Sequence, residues 1–314
     1  MITVIGEALI DLVPTPDATM LRALPGGSAL NTAVGVARLG HPAALVAHLS
    51  RDRFGQLLSR YAMRNGVDIS GAPEADEPTA IAVASAGIGG GVRASLYASG
   101  AATWQWTTSD LAWIPADTTV LQIGSLVWSV PSSAAAVLRV AKRLRQRGAL
   151  VCMDLAVHPE VLRTPGQGRI VLERPLRAAD VVRADVEDIG WLYPGRTPQT
   201  VGERWLRLGP ELVVVTSATG AMAFRGPGSV LHRPGFPADA VDTTGGHDAF
   251  TAALLTALHD HNWKAAGASG LTAVPLSQVL DLAILVAGMT CERPGADPPT
   301  ALEVKDRCQS ARCL

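Results

Sequence analysis

Apolar positions along the chain recur in two rhythms. Short runs rich in Val, Ile and Leu (ITVIG, ALVAHL, TVLQIG, ALVCMD, ADVVR and ELVVVT) alternate with stretches at 29–39, 53–65 and 132–147, where apolar residues return at helical spacing. That alternation predicts an α/β fold with a central, mostly parallel sheet between helical layers. Two stretches break it. Residues 12–25 and 79–106 carry β-type alternation with no helix inside them, and GIGGG supplies a hairpin turn in the second. They predict a small β-sheet standing off the main body as a lid. From 244 onward the pattern is mostly helical, with a polar, glycine-bearing break near 261–275. No repeat or low-complexity linker interrupts the chain, so residues 1–314 read as a single domain.

Composition narrows what such a domain can do. The chain is 48% hydrophobic and 18% charged, which suits a soluble protein with a large core, and its formal charge of −1 offers no general attraction for nucleic acid or an anionic membrane. An anionic ligand must therefore be held by a local site. The one basic run, RVAKRLRQR at 139–147, falls on a helical pattern and reads as a solvated helix face. The four cysteines, at 152, 291, 308 and 313, show no paired spacing, and MITVIGEALIDLVP has no basic leader and carries Glu7 and Asp11 inside its apolar stretch. The expectation is a reduced, cytoplasmic protein.

The chemistry concentrates at two glycine pairs. In DTTGGHDAF, residues 242–250, two glycines precede a histidine, an acid and an apolar run at helical spacing. The first N–H groups of a helix lack intrahelical partners and the dipole makes that end positive, so Gly245 and Gly246 would let an anion approach the backbone. Asp248 would repel such an anion unless it serves as a base, taking a proton from a substrate hydroxyl while the N–H groups hold a transferred phosphoryl group. The alternative is that Asp242 or Thr244 caps the helix and Asp248 is a first-turn acid favoured by the dipole. The second pair, Gly26 and Gly27 in PGGSALNTAVGVARLG, also precedes a helix, with Asn31 one turn in. Asn31 can both donate to and accept from a hydroxyl, and Asp11 follows the first strand, where α/β ligands bind.

In order and separation these two stretches resemble the signatures of the ribokinase-like (PfkB) carbohydrate kinases, GG…N…A…A…LG and DTxGAGDxF. The likeness extends to GEALIDLVP, SRDRFGQLLSRYAMRNGVDISG, IGSL at 123–126 and CERPGADPPT at 291–300, and within the family GEALID and RPGADPPT look most like fructokinases. The resemblance implies an α/β sandwich with a β lid and transfer of the γ-phosphoryl of ATP, with Mg²⁺ and a monovalent cation such as K⁺, to a primary hydroxyl of a sugar. Carried onto this chain, Asp11, Gly26, Gly27 and Asn31 would hold the sugar, Gly245 and Gly246 would form the anion hole, and Asp248 would be the base. Thr216, Gly220 and Thr243 would face the nucleotide. A homodimer through the lids would cover the lid's open face and edges.

Several motifs depart from the family pattern. GAGD reads GGHD, which places His247 beside the base, where it either points outward or lends a cation to the phosphate. NxxE becomes the pair Asp185 and Asp188, still hard-oxygen donors suited to Mg²⁺ or else simple helix-start acids. TxGxxG shortens to TSATG at 216–220, and DxNxRP becomes Asp154, Ala156, His158 and Pro159. These losses keep two rivals open: a catalytically degenerate binding homologue, and a kinase for a nucleoside or a 2-keto-3-deoxy sugar acid. Arg93, in the lid segment, is the candidate partner for a sugar-acid carboxylate. Tyr97, Trp104 and Trp106 either stack on a sugar or pack the small sheet.

Overall fold

The computed structural model describes residues 1–15, 17, 19–86, 92–102, 106–226, 228–262 and 275–311. In chain order the strands are β1 (Ile2–Ile5), β2 (Leu9–Pro14), β3 (Leu21–Gly26), β4 (Ala43–Val46), β5 (Leu49–Ser50), β6 (Val67–Asp68), β7 (Glu74–Ala75) and β8 (Ile81–Ala86). They continue as β9 (Val92–Tyr97), β10 (Val120–Ile123), β11 (Leu150–Asp154), β12 (Val181–Asp185), β13 (Leu212–Ser217), β14 (Gly220–Phe224) and β15 (Val230–Pro234). The main sheet has the order β15-β14-β13-β12-β11-β10-β1-β4-β6. Pairings from β13 through β6 are parallel, and β14 and β15 extend the sheet antiparallel, an addition absent from the sequence expectation.

Both faces of this sheet are buried, and the strand sequences show why. Val213 and Val215 point into one hydrophobic cluster while Leu212 and Val214 point into the other, so the central strands carry nearly continuous apolar runs, whereas the edge strand β15 is partly exposed. One face is covered by the helices Ser28–Arg38, Gly246–Asp260 and Leu276–Cys291, the other by helices that include Pro131–Gln146. The helices Ser28–Arg38 and Gly246–Asp260 come very close: a Cβ added to Gly35 would stand 2.7 Å from Cβ of Ala252. That contact sets the two glycine-pair motifs side by side. The basic run lies on Pro131–Gln146, which buries Val140, Ala141 and Leu144 and leaves Lys142 and Arg143 exposed, while Arg145 reaches Asp180 at 2.7 Å.

The smaller sheet, β3-β2-β8-β9, is built from the two segments that broke the helical rhythm. It is antiparallel except for the pairing of β2 with β8. The GIGGG turn expected between β8 and β9 lies outside the described residues, as does Trp104, although the strands flanking the turn pair antiparallel. The sheet ends at Tyr97 rather than at 106. Trp106 is only 2% exposed, packs in the main core with Leu111, and its ring centroid lies 5.5 Å from that of His48. A thin sheet cannot bury an indole of this size, so the chain delivers it to the larger core. No described helix is long and apolar enough to cross a membrane, and no disulfide occurs among the described residues.

Candidate active site

The carboxyl ends of the parallel strands converge on one edge, where open α/β sheets bind ligands. β1 lies between β4 and β10, so the chain's course reverses beside it. Glu7 follows β1 at that point, 4% exposed, and accepts a hydrogen bond from the Ser28 backbone N–H at 3.0 Å. Its Oε2 is buried without a partner. Burial raises the Glu7 pKa above its ordinary value, partly opposed by His158. The chain then turns through β2 and β3 to Gly27, whose φ of 100° suits only glycine; a Cβ there would also meet the Glu7 carbonyl oxygen at 2.7 Å. Helix Ser28–Arg38 starts at this point.

Asp248 faces that start. Ser28 Oγ donates to Asp248 Oδ1 at 2.7 Å and Asn31 Nδ2 donates to Oδ2 at 2.8 Å, so residues 220 and 217 positions away orient both oxygens. Burial raises the Asp248 pKa against these two hydrogen bonds, and the Asp154 charge raises it further. A carboxylate with a raised pKa is a stronger proton acceptor than an exposed one. Asn31, expected on the sugar, gives its amide N–H to Asp248, while its own Oδ1 is buried and unpaired. Asp11, on β2, is half-buried; burial and the Asp248 charge push its pKa up to about 6. A Cβ on Gly26 would fall 1.9 Å from Asp11 Oδ2, so Gly26 makes room for that carboxylate. Three acids and an unpaired amide oxygen therefore converge, acceptors suited to a neutral, hydroxyl-rich ligand.

The anion side begins at Gly245, which adopts a left-handed φ of 75° before helix Gly246–Asp260. Its missing Cβ would lie 2.6 Å from Cβ of Ala296, and that of Gly246 2.8 Å from Cys291 Sγ, so the CERPGADPPT segment backs this turn. Asp242 shapes the loop by accepting from the N–H groups of Thr244 at 2.9 Å and Gly295 at 2.8 Å. Neither Asp242 nor Thr244 caps the helix, since Gly245 holds the N-cap position with no side-chain cap; Asp242 instead forms the loop, and Asp248, an acid in the first turn, faces Ser28 and Asn31. Thr243 is exposed beside it.

His247 Nε2 stands 3.0 Å from Asp185 Oδ2, and the hydrogen bond to Asp185 raises its pKa, favouring the cation. Behind it Arg183, 3% exposed in β12, donates to Asp154 Oδ1 and Asp185 Oδ2, both at 3.2 Å, and to Thr216 Oγ1. Thr216 in turn donates to Asp185 Oδ2 at 2.9 Å, and Thr251 to Asp154 Oδ2 at 2.8 Å. Against the cost of burial, the hydrogen bond from His247 and the Arg183 charge hold Asp185 well below the usual carboxylate range. Asp188 caps helix Val186–Leu192, accepting from the N–H groups of Val157 at 2.9 Å and Asp185 at 3.3 Å, and burial pushes its pKa up to about 6. Gly220 closes a two-residue hairpin, where a Cβ would meet the Arg233 carbonyl oxygen at 2.1 Å.

Asp11, Gly26, Gly27, Asn31, Gly245, Gly246, His247 and Asp248 thus come together on one edge with Asp185 and Thr216. Arg93 lies on β9 opposite Ser85, and the expectation for its side chain falls outside the described residues. The sequence reading gave no site role to Glu7, Ser28 or Arg183. The available signal for two of them was a charge embedded in an apolar strand run, ITVIGEALI and ADVVRAD, where burial demands a partner.

Fold and site together define a small-molecule phosphotransferase of the α/β class. Residues 1–302 match the model of the pfkB family carbohydrate kinases. The chain belongs to that family and is a sugar kinase. It is 28% identical over 303 residues to a putative sugar kinase of Pyrococcus horikoshii, covering 94% of this chain and 91% of that one. It is also 28% identical over 272 residues to a fructokinase of Klebsiella pneumoniae, covering 83% and 85%. Among solved structures, the Pyrococcus horikoshii sugar kinase in complex with ATP aligns with a TM-score of 0.82 at 25% identity over all of both chains. A fructokinase from Xylella fastidiosa with bound ATP aligns with a TM-score of 0.89 at 24% identity, covering 99% and 98%.

Proposed function

We propose that the protein transfers the γ-phosphoryl group of ATP to a primary hydroxyl of a small neutral sugar, in the manner of a fructokinase. The observation that carries this reading is Asp248: a half-buried carboxylate of raised pKa, held by Ser28 and Asn31, at the first turn of the helix that opens on Gly245. Asp248 takes the proton of the acceptor hydroxyl while Asp11, Glu7 and the free Asn31 oxygen accept from its other hydroxyls. The N–H groups of Gly245 and His247 hold the transferred phosphoryl, Gly246, whose N–H donates to the Thr243 carbonyl at 3.2 Å, lets the backbone come close to it, and the His247 cation adds charge beside it. Thr216, Gly220 and Thr243 border the nucleotide. Fructokinase names among relatives at 27–28% identity support the substrate class.

The oxygen-rich set of Asp154, Asp185, Glu187 and Asp188 outnumbers Arg183 and His247, an excess of negative charge that fits a hard cation. Asp185 and Asp188 would orient the water shell of a Mg²⁺ arriving with ATP, which neutralises phosphate oxygens when bound. A Vibrio cholerae fructokinase structure contains fructose, ADP and a potassium ion, which supports a K⁺ dependence here. The chain acts as one domain with the β3-β2-β8-β9 sheet as its lid. Exposed Met20, Leu21 and Tyr97 on or beside that sheet support a homodimer through the lids, in the cytoplasm.

The test is ADP release with Mg²⁺-ATP across ketoses, aldoses, nucleosides and sugar acids. Turnover with fructose at least about tenfold above every sugar acid and nucleoside supports the reading, whereas a sugar-acid preference moves attention to Arg93. No turnover with any acceptor, together with retained sugar binding, overturns it in favour of a binding homologue.

A further inference from the structure

The helices that carry Asn31 and Asp248 also meet at their other ends, and a second cluster of ligating side chains sits there. Gly40, with a φ of 89°, closes helix Ser28–Arg38: its N–H donates to the Ala37 carbonyl at 3.0 Å and the His41 N–H donates to the Val36 carbonyl at 3.2 Å. This closure points His41, 16% exposed, at the last turn of helix Gly246–Asp260, where His259 and Asp260 lie. One ligand atom from each of the three residues falls within 4.8 Å of the others.

The only hydrogen bond within the cluster, between His259 Nδ1 and Asp260 Oδ1, is long at 3.5 Å, and the spacings leave room for a metal ion. His41 Nε2 is 3.4 Å from Asp260 Oδ2 and His259 Nδ1 is 3.5 Å from Asp260 Oδ1, while the two imidazoles meet edge to face with centroids 5.5 Å apart. A charge-assisted hydrogen bond closes to about 2.7–2.9 Å. Ligands about 2.0–2.1 Å from a tetrahedral Zn²⁺ stand about 3.3–3.4 Å from one another, which the His41 Nε2 to Asp260 Oδ2 distance matches, and the His259 ring nitrogen lies within 4.8 Å of the other two ligand atoms. Two imidazoles and a carboxylate suit a borderline transition metal, and both helices turn their negative carbonyl ends toward the cluster.

We propose that His41, His259 and Asp260 form a Zn²⁺ site, with a fourth position open to water, that clamps the helix pair at the end opposite the reacting groups. Eleven helical residues separate His259 from Asp248, about 17 Å along the axis, so the ion touches no substrate. It ties Arg38–His41 to the helix bearing Asp248 and stabilises the folded chain by mass action.

Zinc chloride titrated calorimetrically into the metal-free full chain, and into His41→Ala and His259→Ala, tests this directly. One equivalent should bind the unaltered chain, with affinity at least about tenfold lower in each variant, since even residues behind metal ligands contribute that much. Saturating Zn²⁺ should raise the unfolding temperature of the unaltered chain and leave both variants in place, and Co²⁺ should give the intense visible bands of tetrahedral coordination. Alanine suits a helix, so metal-free His259→Ala should unfold near the unaltered chain and verify its fold. Because His247 and Asp185 could also capture zinc, His247→Gly is titrated in parallel and should bind as tightly as the unaltered chain. Equal affinity in the unaltered chain and both alanine variants, or binding lost only in His247→Gly, overturns the proposal.

Discussion

Glu7, Asp11 and Asp248, the proposed hydroxyl side, and Asp154, Asp185 and Arg183, the proposed phosphate side, are charged groups wholly or partly withdrawn from water, but they are treated in opposite ways. The phosphate side pairs its acids with a buried guanidinium, an imidazole and two hydroxyls. The hydroxyl side sets three acids near one another; burial raises their pKa values, the Asp248 charge adds to the rise at Glu7 and Asp11, His158 and His247 oppose it only in part, and Glu7 Oε2 and Asn31 Oδ1 stay unpaired. On the phosphate side every carboxylate and both guanidinium NH2 groups find partners inside the protein, with only Arg183 Nε left over, and such a network keeps its shape. Groups left unmet are stabilised when a ligand supplies the missing hydrogen bonds, and that is how a site expresses preference for a polyol.

The largest test of this contrast is Asp248→Asn. It removes the proton acceptor, and kcat should fall by about 10²–10⁴-fold. The fold should survive, because Asn31 can turn its unpaired Oδ1 toward the new amide and a desolvated charge is lost. Steady-state kinetics with a circular dichroism melt checks both points. Arg183→Met acts on the other side: with the cation gone, Asp154 and Asp185 lose their buried partner, and unfolding by denaturant should show a loss of about 3–5 kcal/mol. If Arg183→Met proved neutral, the phosphate side would not be self-contained and the contrast would fail.

Asp11→Asn should act more gently. It weakens a charged hydrogen bond to substrate worth about 1.5 kcal/mol, so KM for the sugar should rise about tenfold while kcat changes little. An equal fall in kcat would place Asp11 in the chemistry itself. The smallest effect belongs to His247. Its folded-state pKa is raised by Asp185, so its stabilising contribution is full below the unfolded value and fades as pH climbs through the folded one. Melting temperatures of the unaltered chain should drop relative to His247→Gly, which lacks the pairing, as pH rises above the ordinary imidazole value. Parallel curves for the two proteins would show that the imidazole does not pair with Asp185 in solution.

Much of this was legible along the chain because it is written in local pattern. Periodicity placed the parallel strands and most of their helices, and the break in that rhythm marked the small sheet. The two glycine pairs, Asn31 and Asp248 stood out because glycines before a helix and an acid in its first turn have few uses. β14 and β15 went unread because RGPG and the short hairpin at TSATG look like loop. Trp106 was assigned to the lid because a period-two pattern does not say which core receives a side chain.

What the sequence determined by itself is whatever depends on neighbours: strand and helix periods, the glycine pairs set before two helices, and the type of chemistry an acid beside two glycines can do. The tertiary structure decided the partnerships. Ser28 and Asn31 reach Asp248 across more than 200 residues, Arg183 gathers Asp154, Asp185 and Thr216 from three strand ends, and His247 turns to Asp185. The physical reason is that a pKa or a hydrogen bond depends on distance and burial, and both exist only after the sheet has brought its carboxyl ends to one edge and the packing of Gly35 against Ala252 has brought two helix starts together.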